Sequence, residues 1–133
     1  MPALDTNVLV RYLIHDDAAQ SAAARRLVRR CVAEGRALFI PVTVALELEW
    51  VLRSNFGFGK DEVMQTLSDL LSSVELSFES ERELEVSLLL YREGSADYSD
   101  CLHVALASGA SEKPLWTFDR VAAKVDGARL LPA

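Results

Sequence analysis

Short apolar runs alternate along this chain with longer segments of helical spacing, and that alternation constrains the fold more than any other feature. "PALDTNVLV" reads as a strand running into a helix, and "ALFIPV", "VELSF", "PLWTF" and "ARLLP" read as four further strands. Between them Ala24, Leu27, Val28, Cys31 and Val32 fall at i, i+3, i+4, i+7 and i+8, one face of a helix. "SERE" at Ser80–Glu83 matches a capping box with Ser80 as N-cap. Gly94 and Gly109 stand where helix C-terminal glycines are expected, and "FGFGK" at 56–60 reads as a helix–helix connection. Strands separated by helices imply crossover connections, hence an α/β protein with helices on both faces of a central, mostly parallel sheet of about five strands. In such sheets ligands bind beyond the carboxyl ends of the strands.

There is no repeat, low-complexity tract or dividing linker, so residues 1–133 read as one domain, long enough to bury a core without disulfide or metal staples. No apolar run approaches the roughly 20 residues of a membrane span, and the N-terminus lacks the order of a signal peptide, so a cytoplasmic protein is expected. Cys31 and Cys101, far apart in apolar helical patterns, read as reduced, buried thiols. The net charge of −6 does not exclude a nucleic-acid partner. Acids clustered at a cation site change sign locally once the cation binds.

Four acids invite that reading. Asp5 interrupts an otherwise apolar start, and Asp119 stands in the same relation to "PLWTF". Each is also well placed as an ordinary helix N-cap. In "TVALELEWVLR" the apolar stripe reads through Val44, Leu48 and Val51, with Glu47 at its edge and Glu49 pointing to solvent, paired with Arg53 four residues on. Asp97 and Asp100 open the helix of "SADYSDCLHVALASG", where a cap at Asp97 and a dipole-favoured acid at Asp100 are the ordinary explanation.

If Asp5, Glu47, Asp100 and Asp119 converge, each pair about 5 Å apart repels by roughly 3 kcal/mol at an effective dielectric near 20. Such a cluster needs protons or hard cations, and an all-oxygen donor set favours Mg²⁺ or Mn²⁺. His15 and His103 are isolated, and His103 is expected to pack within its helix. Carboxylate-held Mg²⁺ is chemistry for phosphodiesters: it activates water and stabilises the attacking and leaving oxygens.

"LDTNVLVRYL", "ALELEWVLR", "ADYSDCLHVALA" and "WTFDR" resemble, in order, the four acidic motifs of PIN-domain ribonucleases, above all the VapC-type toxins of bacterial toxin–antitoxin pairs. The resemblance covers essentially the whole chain and implies a three-layer α/β/α fold. It implies catalytic, metal-binding roles for Asp5, Glu47, Asp100 and Asp119, the helix-opening acid matching at Asp100 because "DCLHVALA" supplies the apolar run that follows it. Asn7 and Thr117 become hydrogen-bonding supports and Asp97 an accessory acid. The resemblance further implies Mg²⁺- or Mn²⁺-dependent cleavage of RNA, often tRNA or rRNA, a homodimer, and an antitoxin whose tail enters the acidic groove. An antitoxin arginine there would pair bidentately with the acids. Arg25, Arg26, Arg29 and Arg30 would then meet RNA phosphates, although a solvated helix face is the plain alternative.

Rival phosphate-transfer readings fail on particular residues. A haloacid-dehalogenase-type phosphatase needs an acid where Asn7 stands, and a receiver domain needs a late lysine where "TFDR" has Arg120. "GFGKD" lacks the P-loop spacing. The remaining alternative is a catalytically silent PIN-like module that binds RNA or protein.

Overall fold

A computed structural model describes residues 1–133, which divide into two compact units, Met1–Glu79 and Ser80–Ala133. The first contains helices α1 (Thr6–Leu13), α2 (Ala18–Ala33), α3 (Val42–Phe56) and α4 (Lys60–Leu71) with strands β1 (Leu38–Ile40) and β2 (Leu76–Phe78). β1 and β2 pair in parallel, Leu38 opposite Leu76 and Ile40 opposite Phe78. The strand expected at "PALD" is reduced to a parallel bridge between Ala3 and Phe39, held by Leu4 N–H to the Phe39 carbonyl at 3.0 Å and Phe39 N–H to the Pro2 carbonyl at 2.7 Å.

The second unit contains α5 (Glu81–Glu93), α6 (Tyr98–Gly109), β3 (Leu115–Thr117), a 3₁₀ turn at Ala122–Lys124 and β4 (Ala128–Leu130). β3 and β4 pair in parallel, with Trp116 opposite Arg129. The α/β class and the parallel pairing are as expected from the alternation. The hydrogen-bonded ladders, however, are two two-stranded pairs and not one ladder of about five strands. Each named strand has only three residues, and the first apolar run spends its residues on starting α1. No helix is long and apolar enough to cross a membrane.

Each unit buries a continuous apolar face. α1 buries Leu9 and Val10, and α2 buries Ser21, Ala24, Val28 and Cys31; of the face the sequence spacing suggested, Leu27 is only half-buried and Val32 is exposed. α2 thereby leaves Arg25, Arg26, Arg29 and Arg30 in solvent. Gly57 ends α3 at φ 68°, a left-handed cap that glycine adopts without a Cβ penalty, and Gly59 starts α4 with its N–H on the Glu62 carboxylate at 3.1 Å. "FGFGK" is therefore the helix–helix connection its composition predicts.

The second unit is clamped where α5 meets α6. Ser87 Oγ donates to the Leu84 carbonyl at 2.6 Å, and because this spends its only hydroxyl proton, the 2.8 Å contact to Tyr98 has the tyrosine as donor. This fixes the first turn of α6, which carries the acids. Gly109 lies close under α5: a Cβ there would stand 2.7 Å from Cγ of Glu83, whose side chain would have to shift. Ser80 precedes α5 as expected, but at φ 56°, ψ 43° it is left-handed and not in the extended conformation of an N-cap, and its side chain makes no cap bond, so the capping box does not form. Cys31 and Cys101 are buried and form no disulfide.

Candidate active site

The first-unit acids sit at the start of α1 and on one side of α3. Asp5 is the N-cap of α1, its Oδ1 accepting from Val8 N–H at 2.9 Å. The ordinary capping explanation therefore holds for Asp5, but it occupies one oxygen only, and the residue is exposed. Thr6, buried directly after it, donates its hydroxyl to Oε1 of Glu47. Thr6 thus ties the start of α1 to α3 and orients Glu47, which is itself exposed. The α3 N-terminus is held from a distance: Glu79, just past β2, accepts the Val42 N–H at 2.8 Å, replacing the side-chain cap that Pro41 cannot supply. Asn7 is exposed and lines a groove of about 360 Å³ with Asp5, Arg11 and Gln20, but forms no hydrogen bond to an acid.

Glu49 corrects the sequence reading. It is 2% exposed, and Arg53 grips it through Nε on Oε2 and through Nη2 on Oε1 at 3.2 Å. The buried stripe of α3 runs through Val44, Ala45, Leu48, Glu49 and Leu52, so its centre is rotated away from Val51. That rotation carries Glu49 inward and leaves Glu47 in solvent. The Arg53 pairing was foreseeable at i, i+4; the burial was not.

The second-unit acids share a neighbourhood. Asp97 is the N-cap residue of α6 without a side-chain cap bond, and Asp100 lies three residues on in the first turn. Burial pushes the Asp100 carboxyl above the usual carboxylate range, and the charges of Asp119 and Asp97 push it further, with His103 opposing. His103 is exposed, contrary to the expectation that it packs within its helix. Asp119 follows β3, with Oδ1 accepting from Val121 N–H at 2.8 Å and Ala122 N–H at 3.0 Å. Thr117 Oγ1 accepts the Asp119 N–H at 3.0 Å.

No group of three or more His, Cys, Asp or Glu side chains is arranged to hold a metal ion. The donor chemistry nevertheless suits a hard divalent cation. Asp5, Glu47 and Asp119 each commit one oxygen to internal hydrogen bonds and leave the other available, while Asp100 is pushed up first by burial and then by the charges of Asp119 and Asp97, charges that a cation would offset. The arginines of α2 divide in two. Arg25 and Arg29 line a second groove of about 360 Å³ with Tyr12, Val28, Val32, Ala33 and Glu75, whereas Arg26 and Arg30 lie outside it. Arg25 also contacts His15, and the Tyr12 hydroxyl donates to Glu75 at 2.5 Å. Burial was the missed signal for Thr6, and Glu79 gave none beyond standing after an apolar run.

A protein of Aquifex aeolicus (strain VF5) described as a VapC ribonuclease is 22% identical to this chain over 120 residues, 90% of this chain and 88% of the relative. A family model for the PIN domain matches residues 3–128, a span that takes in Asp5, Glu47, Asp97, Asp100 and Asp119. The chain belongs to the PIN domain family.

Proposed function

We propose that this chain is a Mg²⁺- or Mn²⁺-dependent endoribonuclease of the VapC type, the toxin of a toxin–antitoxin pair. The observation that carries the reading is the PIN match over residues 3–128, which includes every acid singled out from the sequence. Similarity to a protein described as a VapC ribonuclease supports the choice of RNA as substrate. The match spans residues of both compact units, which supports treating 1–133 as one functional domain.

In this reading Asp5, Glu47, Asp100 and Asp119 hold the cation, which when bound supplies an activated water and charge stabilisation for phosphodiester cleavage. Thr6 orients Glu47, and Thr117 braces Asp119. Asp97 adds negative charge beside Asp100, and Asn7 lines the groove next to Asp5. Arg25 and Arg29 receive RNA phosphates in the basic groove, with Arg26 and Arg30 adding long-range attraction. The partners are a tRNA or rRNA, a second copy of the chain and a cognate antitoxin; the setting is the cytoplasm.

The test is incubation of the purified protein with labelled cellular RNAs in Mg²⁺, Mn²⁺ or EDTA, beside Asp5→Asn and Asp119→Asn. Cleavage that needs the metal and is lost in both variants supports the assignment. Cleavage surviving EDTA and both substitutions overturns it, and binding without cleavage identifies a silent binding module instead.

A further inference from the structure

Trp116 lies in the middle of β3 and is nonetheless 50% exposed, and Phe118, two residues on, is 68% exposed. Rings of this size ordinarily go to cores or interfaces. Trp116 is in register with Arg129 of β4, and the Arg129 guanidinium lies over the indole, 5.6 Å from the ring centroid. The segment between the rings is braced, because Thr117 Oγ1 takes the amide of Asp119. An aromatic pair, Trp116 on β3 and Phe118 just past its end, therefore stands immediately before a proposed metal-binding acid.

The choice of occupant follows from charge. The centre of a protein-binding patch is depleted of charged residues other than arginine. Here a cation lies on the central ring, and Asp119 and Arg120 follow Phe118 directly. Aromatic faces with arginine beside them suit a single-stranded nucleic acid, where bases stack on the rings and the cation meets phosphate. The neighbouring cations Arg120 and Lys124 are exposed and have the same complementary sign. We propose that Trp116, flanked by Arg129 and Phe118, is a base-stacking subsite that holds single-stranded RNA beside Asp119. The proposal rests on the ribonuclease reading for its substrate, but its test does not depend on cleavage.

The chain has two tryptophans, so Trp50→Phe leaves Trp116 as the sole indole reporter. In EDTA a mixed-sequence 12-nucleotide single-stranded RNA should quench its emission. With binding followed separately by anisotropy of a labelled RNA, Trp116→Ala should weaken affinity about five- to tenfold, and Trp116→Tyr should recover most of it. Arg129→Ala, which keeps the ring, should reduce the slope of log K against log salt by about 0.7, the value for one phosphate contact on a single strand.

RNA that binds without quenching Trp116, or that binds Trp116→Ala as well as the parent, overturns the subsite. So does RNA that does not bind at all, and so does emission that shifts with protein concentration as the mass doubles, which would assign the rings to a second copy. Quenching without cleavage in Mg²⁺ or Mn²⁺ upholds the subsite and removes the ribonuclease reading. Cleavage with KM unchanged in Trp116→Ala does the reverse.

Discussion

Replacing Arg53 with methionine should harm the fold more than replacing Glu49 with glutamine, while Glu47→Gln should spare the fold and stop the chemistry. Glu49 has a side chain 3% exposed and Arg53 one 37% exposed. Removing Arg53 strips both of its donated hydrogen bonds from a carboxylate out of reach of water. Breaking a buried pair in this way costs 3–5 kcal/mol, and the partial exposure of the arginine end favours about 3. Glu49→Gln instead leaves a guanidinium that can turn to solvent while an amide oxygen still accepts, a loss of about 1 kcal/mol. For 133 residues the unfolding entropy is about 0.28 kcal/mol/K, so the two changes lower Tm by about 11 °C and about 4 °C. Glu47 is exposed, and Thr6 can donate to an amide oxygen as it does to the carboxylate, so Glu47→Gln should move Tm by less than about 2 °C. Its RNA cleavage should fall at least about a hundredfold, whereas Glu49→Gln, assayed well below its Tm, should retain most of it. Calorimetry and a gel assay on the three variants settle the matter. Equal Tm losses for Arg53→Met and Glu49→Gln would refute the burial argument, and full activity in Glu47→Gln would refute the division of roles.

Asp100 is held above the usual carboxylate range, so the folded state binds its proton more tightly than the unfolded chain does. Its contribution is therefore most favourable below the ordinary carboxylate value and is lost as pH rises through the raised one. Asp100→Asn should thus raise Tm at pH 7 and change it little at pH 3.5, and Mg²⁺ should stabilise the parent at pH 7 more than at pH 4, both read by thermal scans. Tyr12, hydrogen-bonded to Glu75 and partly buried beside it, titrates at about 12 in place of 10. Absorbance at 295 nm should show this late phenolate, with Glu75→Gln returning it toward 10; the associated stability is present below pH 10 and lost through about pH 12. Gly109→Ala, favourable in an isolated helix by up to about 1 kcal/mol, should lose that gain here because its Cβ forces the Glu83 side chain to shift. Glu83→Ala in the same chain should restore the gain, as a double-mutant cycle in urea would show.

The alternation of short apolar runs with helical spacing made the class, the helix order and the parallel pairing legible, because each follows from local period and chain direction. Strand extent was not legible: in "PALDTN" the same residues serve a bridge and a helix start, and only tertiary packing divides them. Glu49 shows a second limit. The α3 stripe passes through Leu52 as well as it does through Val51, and a 100° choice between them decides which glutamate is buried. Thr6 and Glu79 escaped notice because their partners, Glu47 and Val42, lie 41 and 37 residues away. Motif order singled out the acids; it could not show what holds them.

Asp5 and Asp119 each spend one oxygen on helix-start amides and keep the other for solvent. Exchange of that second oxygen for an amide nitrogen leaves the cap in place and deletes the charge. For the ribonuclease proposed above, disarming therefore meets no folding barrier, since a single-base change from an aspartate to an asparagine codon suffices. On that reading a silenced descendant would keep its surfaces and could occupy an antitoxin without cutting anything. On the same reading, selection for a decoy and selection for a toxin act on one fold, one atom apart.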